Sequence, residues 1–308
     1  TKEPSSVTFN AEFAQLIPMP DGGVVVTGRP SHNFCFQALG GKGWSPLYRV
    51  PVDSWGGRGQ FMTGAFDTSG DLWVGTNEGL NRYLPESDSF ERIYTGTAAF
   101  ELPDNVIFEI AEDAEGALWL GTNTAGVLVY NQKTKNHRHY SYDPENQRSL
   151  SDNLVRSIFH DSQGVTWIGT NNGVNRYNPE TDDFDRFLSE IDEPSKTVSS
   201  NNIRTITEDR HGRILIATIG GGINIFDRES ESFTYLTTES GLPSNHITGV
   251  LEDTAGDLWI STNRGLAVYK AGSETVRILK QANGLISNEL TRGLTQAPDG
   301  SIYIGTAA

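Results

Sequence analysis

Short apolar runs alternate with polar, glycine-bearing turns along the whole chain, and the alternation has the period of strands, not helices. The segment from Asn105 to Tyr140 shows the order. The apolar run Val106 to Ala111 predicts a first, innermost strand, and the acidic turn Glu112 to Gly116 closes a hairpin onto a second strand, Ala117 to Gly121. Thr122 to Gly126 turns the chain into a third strand, Val127 to Tyr130, and a more polar run around His137 to Tyr142 predicts an outer strand facing water. Inner runs rich in Val, Ile and Leu suit sheets packed on both faces.

This unit recurs. The stretch Asp161 to Tyr177, DSQGVTWIGTNNGVNRY, has close copies whose turn glycines are Gly23, Gly70, Gly116, Gly164, Gly212, Gly256 and Gly300, separated by 47, 46, 48, 48, 44 and 44 residues. Strand patterns repeated with a period in the forties predict a β-propeller with one four-stranded antiparallel blade per repeat. The fold expectation is therefore all-β and seven-bladed, with residues 1–308 as one domain because the unbroken repeat leaves no boundary.

Counting from each glycine sharpens the pattern. Three residues on stand Trp73, Trp119, Trp167, Leu215, Trp259 and Tyr303; five on, small residues; six on, Thr76, Thr122, Thr170, Thr218, Thr262 and Thr306. Three residues before stand Asp67, Asp113, Asp161, Asp209 and Asp253, where a short acid accepts backbone N–H groups and locks a turn. The ends are less regular. Blade one, Phe13 to Val52, has Val26 in place of the tryptophan and runs into a glycine-rich insert, Gly40 to Gly59. The last repeat stops two strands short, so Ser5 to Asn10 is expected to add an outer strand and the natural chain to continue past Ala308.

Composition narrows the function classes. A net charge of -15 and a pI near 4.8 oppose nucleic acid or an anionic membrane surface as partner. No run approaches the roughly 18 apolar residues of a membrane-spanning helix, and no signal-peptide pattern opens the chain. A start at Thr1 without methionine predicts that a leader or anchor has been trimmed. The single cysteine, Cys35, allows no internal disulfide.

The copies NLVRSIFHDSQGVTWIGTNNGVNRY and NHITGVLEDTAGDLWISTNRGLAVY resemble the two-component regulator propeller repeat, clearly in blades two to seven and weakly in blade one. The resemblance implies a periplasmic, ligand-sensing propeller of a Gram-negative bacterium. In the parent chain it would be followed by a linking domain, a membrane helix and a histidine kinase or diguanylate cyclase output. It also implies a homodimer, and contact with the membrane only through those further parts.

Candidate chemistry follows from the repeat positions. Eight residues before the marker glycine lie Met62, Phe108, Arg156, Arg204, Thr248 and Arg292. Three arginines at one position predict a local cationic mouth on an acidic protein, suited to a uronate, sulfate or carboxylate group. The structural alternative pairs each arginine with an acid of a neighbouring blade. The turns Asn77-Glu78, Asn123-Thr124, Asn171-Asn172 and Asn263-Arg264 are placed on the same rim, and asparagine there reads first as a turn residue tolerant of unusual backbone angles. Trp44 and Trp55 fall in the glycine-rich insert, where an indole can stack on a sugar or cover the junction of blades one and two.

Enzymatic readings need convergent acids, bases or metal ligands. The six histidines, His32, His137, His139, His160, His211 and His246, fall at unrelated places in the blade, and only His246 begins an inner strand. No catalytic constellation, cofactor site or metal site is assembled, and the DxxG turns lack the alternate ligands of an EF-hand-like loop. Streptogramin-inactivating lyases are the nearest enzymes on this fold, and a protein-binding scaffold is the other alternative to a small-molecule or oligosaccharide sensor.

Overall fold

The computed structural model describes residues 62–306 with their side chains, except Pro85, Asp88, 97–101, 191–193, Glu274 and 298–299 and, for its side chain, Pro194, and before them the backbone of four strands and of Phe61. In chain order the strands are β1 (Glu12–Pro18), β2 (Val24–Arg29), β3 (Phe34–Gly40), β4 (Gly43–Val50), β5 (Phe61–Phe66), β6 (Leu72–Thr76), β7 (Gly79–Leu84), β8 (Ser89–Ile93), β9 (Ile107–Glu112), β10 (Ala117–Thr122), β11 (Val127–Asn131), β12 (His137–Tyr140) and β13 (Val155–His160). They continue as β14 (Thr166–Thr170), β15 (Gly173–Asn178), β16 (Asp183–Phe187), β17 (Ile203–Glu208), β18 (Ile214–Thr218), β19 (Ile223–Asp227), β20 (Ser232–Leu236), β21 (Ile247–Glu252), β22 (Leu258–Thr262), β23 (Gly265–Tyr269), β24 (Val276–Leu279), β25 (Leu290–Gln296) and β26 (Ile302–Thr306).

Among the described residues these form six four-stranded antiparallel sheets and one two-stranded sheet, β25 with β26. The first strands of the sheets touch in a closed ring, β1 on β5, β5 on β9, and so on to β25, which packs against both β21 and β1. That is a seven-bladed propeller, and its inner strands line the central channel. The second strands are its most buried layer, as in β10, every residue of which is buried. The insert expected after Gly40 is partly a strand: Gly43–Val50 forms β4, so Trp44 lies on the outer strand of blade one, opposite Leu39. Trp55, Gly23 and the segment Ser5 to Asn10 lie outside the described residues.

One carboxylate organises each regular blade. Asp161 Oδ1 accepts the backbone N–H groups of Gln163 (2.9 Å) and Val165 (2.8 Å), which fixes the turn, while Oδ2 accepts the indole N–H of Trp167 at 2.7 Å. Asp67, Asp113 and Asp253 do the same, holding Trp73, Trp119 and Trp259 at 2.9, 2.8 and 2.8 Å. In blade five, where Leu215 has no N–H to offer, Arg213 Nε donates to Asp209 at 2.7 Å instead. Held this way, each indole projects into the junction with the next blade, Trp119 edge-on to Tyr177 (5.2 Å) and Trp167 edge-on to Phe226 (5.3 Å).

Junctions are closed by size and by hydrogen bonds. A methyl group added at Gly169 would meet Ile203 Cγ2 at 2.5 Å, and one at Gly121 would meet Val155 Cγ1 at 2.7 Å, so the next inner strand can approach only over glycine. Glu208 accepts Ser162 N (2.7 Å) and Oγ (2.8 Å) of the preceding blade, and Glu252 accepts Arg210 N at 2.6 Å. Blade four departs from this latch. His160 takes the corresponding place, bonds Thr166 Oγ1 at 2.9 Å, and is pressed edge-on against Trp119, where burial pushes its imidazole below the usual range.

Asp161 also receives Arg228 Nη1 from blade five at 2.8 Å. Replacing Asp161 with alanine orphans the turn amides, the indole N–H and this guanidinium, and is expected to cost about 3 kcal/mol or more. Trp167→Phe keeps the ring but removes one donor and is expected to cost about 1–2 kcal/mol. Urea unfolding of both variants checks the ordering.

Candidate functional site

The inner strands share an irregularity that the repeat alone does not reveal. Ile203 pairs with Thr218 and the next pair is Thr205 with Ala217; Val155 pairs with Thr170 and the next is Ser157 with Gly169. The same slip occurs in β5, β9 and β21. The residue passed over is Met62, Phe108, Arg156, Arg204 or Thr248, and in β25 Arg292 lies in the unpaired stretch between Leu290 and Leu294. A β-bulge leaves its extra residue out of the ladder and re-aims the side chain. The position flagged by counting is thus a bulge near the start of each inner strand.

The bulges bring the three arginines together. Arg292, on blade seven, reaches across the ring to blade three, where Nη1 meets Glu109 Oε2 at 3.0 Å. Its Nη2 donates to the carbonyls of Met62 (3.2 Å) and Phe108 (3.3 Å). Arg156 lies over the Phe108 ring, 4.5 Å from its centroid. Arg204 makes no hydrogen bond or ion pair among the described residues, and its buried Nε has no partner.

The electrostatics follow from this crowding. Burial, the charge of Arg292 and that of Arg156 push the Arg204 guanidinium down to about 10. Arg156 is lowered by burial and by Arg292. Burial pushes the Glu109 carboxyl up, against the opposing pull of Arg292. Of the two readings of the arginines, pairing with an acid describes Arg292 alone, and that acid stands on blade three and not on an adjoining blade; Arg156 and Arg204 form no ion pair among the described residues.

The other sequence candidates lie around this mouth with structural duties. The backbone N–H of Asn171 donates to Leu154 O at 3.0 Å, tying the turn to the start of its own inner strand, and Asn172 Oδ1 accepts Asn201 Nδ2 at 3.1 Å across the blade junction. The unusual backbone angle expected of these asparagines is not theirs. It belongs to the glycines that follow, Gly79, Gly126, Gly173, Gly222 and Gly265, whose carbonyls accept the buried threonine hydroxyls. Arg264 is exposed, Asn263 keeps a buried Oδ1 without a partner, and His246 bridges to Ile219 of the preceding blade. Nothing is described of the Trp44 side chain.

What sequence reasoning missed is Glu109. In the other described inner strands the residue after the bulge is Thr63, Ser157, Thr205, Gly249 or Gly293, so this acid is itself a departure from the repeat and could have been found by the same counting. Among the described residues no group of three or more His, Cys, Asp or Glu side chains is arranged to hold a metal ion, and no helix is long and apolar enough to cross a membrane.

Arg204→Met removes a cation that the folded state holds with no partner. A guanidinium lowered to about 10 by burial beside two other cations is disfavoured by roughly 3 kcal/mol relative to the unfolded chain. Because that lowered value still lies far above neutrality, the cost is fully present at pH 7. The variant is expected to be more stable than the parent by about 1–3 kcal/mol in urea unfolding at pH 7.

Comparison with known proteins agrees with the geometry. The model of the family described as Two component regulator propeller matches residues 101–124, 149–172, 197–220 and 241–264, the starts of blades three to six. Histidine kinase P4 of Formosa agariphila is 42% identical over 50 residues, which is 16% of this chain and 4% of the kinase. The extracellular domain of a hybrid two component system from B. thetaiotaomicron superposes with a TM-score of 0.61 at 23% identity, covering 80% of this chain and 39% of that one. An inactive virginiamycin B lyase from Staphylococcus aureus, solved with quinupristin, gives a TM-score of 0.71 at 14% identity over 99% of this chain and 95% of the lyase. At such identities the superpositions establish the fold. The chain therefore spans a minor part of the signalling proteins it matches, and the starts of blades three to six are similar to the two component regulator propeller repeat.

Proposed function

We propose that this propeller is the extracytoplasmic sensing part of a bacterial signalling protein, and that it binds an anionic small molecule or oligosaccharide at the mouth of the central channel. The domain itself is not catalytic in this reading. Binding changes the arrangement of blades or of two paired copies, and the change passes to a kinase or cyclase output elsewhere in the parent protein. The likeness to extracellular domains of two component systems supports the location and the signalling role. The observation that carries the ligand class is the channel: of its three guanidiniums only Arg292 pairs with a carboxylate, and the other two have no anionic partner among the described residues.

An anion entering between Arg156 and Arg204 would supply the missing counter-charge through forked hydrogen bonds, in a lumen where water screens less than at the surface. Net repulsion of anions by a protein of charge -15 is overcome locally because field lines concentrate in a channel lined by cations. The lyases share the fold at 14% to 16% identity, which carries no argument for their chemistry here.

Thermal unfolding against neutral and acidic oligosaccharides, amino acids and nucleotides tests the reading, since a ligand specific to the folded state raises the midpoint. Acidic glycans at millimolar concentration are expected to raise it by a few degrees, and Arg156→Met or Arg204→Met to abolish the shift. No shift with any compound would move the assignment to a protein-binding scaffold.

A further inference from the structure

We propose that the junction of blades two and three holds a binding site for a small phenol, in a cavity whose counterparts at the next two junctions are filled by the protein's own aromatic rings. The site lies among the outer strands, away from the central channel, and does not depend on the anion reading above.

The repeat supplies the comparison. At the junction of blades three and four, Tyr140 of β12 stacks on Trp119, with centroids 6.2 Å apart and planes inclined by 16°. At the junction of blades four and five, Phe187 of β16 stacks on Trp167 at 6.0 Å and 29°. A guanidinium lies over each of these rings, Arg138 over Tyr140 at 5.8 Å and Arg176 over Phe187 at 5.5 Å. Indole, flat ring and guanidinium form one packed set.

The pairing register fixes what stands at the ring's place in blade two. Tyr140 pairs with Val127 and Phe187 with Val174, each the residue after a positive-φ glycine; Leu80, which follows Gly79 in the same way, pairs with Ile93. Ile93 has no ring, and among the described residues no aromatic ring stacks on Trp73. A cavity of about 250 Å³ lies there instead, and its lining includes Trp73, Arg82, Glu91, Ile93, Tyr130 and Lys135. About 150 Å³ already admits benzene, so a substituted ring fits. The indole is held in place by its bond to Asp67 at 2.9 Å, and Arg82, at the register place of Arg176, lies over it at 5.6 Å. Two members of the set are present and the ring is missing. A ring entering the cavity would slide onto the indole, and the partly exposed Arg82 would move outward to lie over it, as Arg176 lies over Phe187.

The hydroxyl follows from the polar end of the cavity. Tyr140 Oη donates to Asp182 at 2.5 Å and lies 3.3 Å from Tyr177 Oη. Asp182 is the positive-φ residue of the turn after its third strand, and Lys135 is its counterpart one blade earlier. Lys135 and Glu91 offset each other in charge, and Arg82 is paired with Asp71 at 2.5 Å, so the lining favours neither sign. A neutral hydroxyl can accept from Lys135 or donate to Glu91, whereas an ionised group would be attracted by one and repelled by the other.

Isothermal titration at pH 7 with 4-methylphenol, the tyrosine side chain as a free molecule, and with 4-methylcyclohexanol, which has the same outline without the aromatic face, tests this. The parent protein is expected to bind 4-methylphenol at least tenfold more tightly than 4-methylcyclohexanol. Ile93→Phe, which supplies the ring from the chain as Phe187 does, is expected to abolish that binding and to raise the thermal midpoint by a few degrees. Undiminished binding to Ile93→Phe would place the phenol elsewhere and overturn the proposal. So would a midpoint below that of the parent, equal affinity for the two probes, or no binding of 4-methylphenol to the parent at millimolar concentration. Should Ile93→Phe fail to fold, Trp73→Leu decides, since leucine is what blade five carries at that place: binding lost supports the site and binding kept overturns it. Both probes are uncharged at pH 7, so none of these outcomes bears on the anion reading of the channel.

Discussion

A buried carboxylate with every acceptor position filled is the interaction on which the propeller depends. Asp161 sits at 7% exposure and Asp67 at 3%, positions at which an ionised acid is tolerated only if donors replace water. The turn supplies two backbone amides and the second strand supplies the indole, so one side chain sets the hairpin and aims the residue that fills the next junction. The two residues consequently stand or fall together. Blade five replaces the tryptophan and recruits Arg213 to the vacated oxygen; blade seven has Ala297 and Tyr303, with neither the acid nor the indole donor. An acid without its donor, or a buried indole N–H without its acceptor, would cost more than losing both.

This arrangement leaves one position of each inner strand out of the stitching. The aspartate turns and the Glu208- and Glu252-type latches lie at the ends of the first strands, while the asparagine and threonine ties stitch the opposite rim through backbone groups. Between these two stitched ends the bulge residue takes no part in the ladder. It is Met, Phe, Arg, Arg, Thr and Arg in the six blades whose side chains are described there, while the flanking asparagine, aspartate and threonine positions hardly change. A position that varies inside a repeat whose geometry is constant has been released from holding the fold together.

The repeat made the fold legible from the chain alone, because period, turn chemistry and strand alternation point the same way. Family matching finds blades three to six, and blades one and seven depart from the pattern at Val26 and Ala297. The arginine position was legible by counting. Its bulge was not, since one extra residue in a strand is visible only in the pairing register of its partner. Nor was the Arg292 to Glu109 contact, which joins residues 183 apart through ring closure. At the asparagine turns the residue that carries the unusual angle was not legible: asparagine and glycine both favour positive φ, and when a glycine follows closely it takes that angle, leaving the asparagine in ordinary backbone. Trp44 was placed in an insert because the glycines at 40, 41 and 43 look like a loop, whereas Gly40 and Gly43 pair with each other as the facing ends of β3 and β4.

The ring symmetry of the backbone yields an asymmetric lumen. One bulge per blade sets six described residues apart from the ladder, but their identities divide them, with Met62 and Phe108 on blades two and three and the cations on blades four, five and seven. Arg292 crosses from the cationic side and is pinned to the carbonyls on the apolar side, so the two halves are connected by the group that also binds the site's own acid. Arg292 stands on β25, the strand that meets β1 where the ring closes, so the contact that spans the lumen starts from the closing blade.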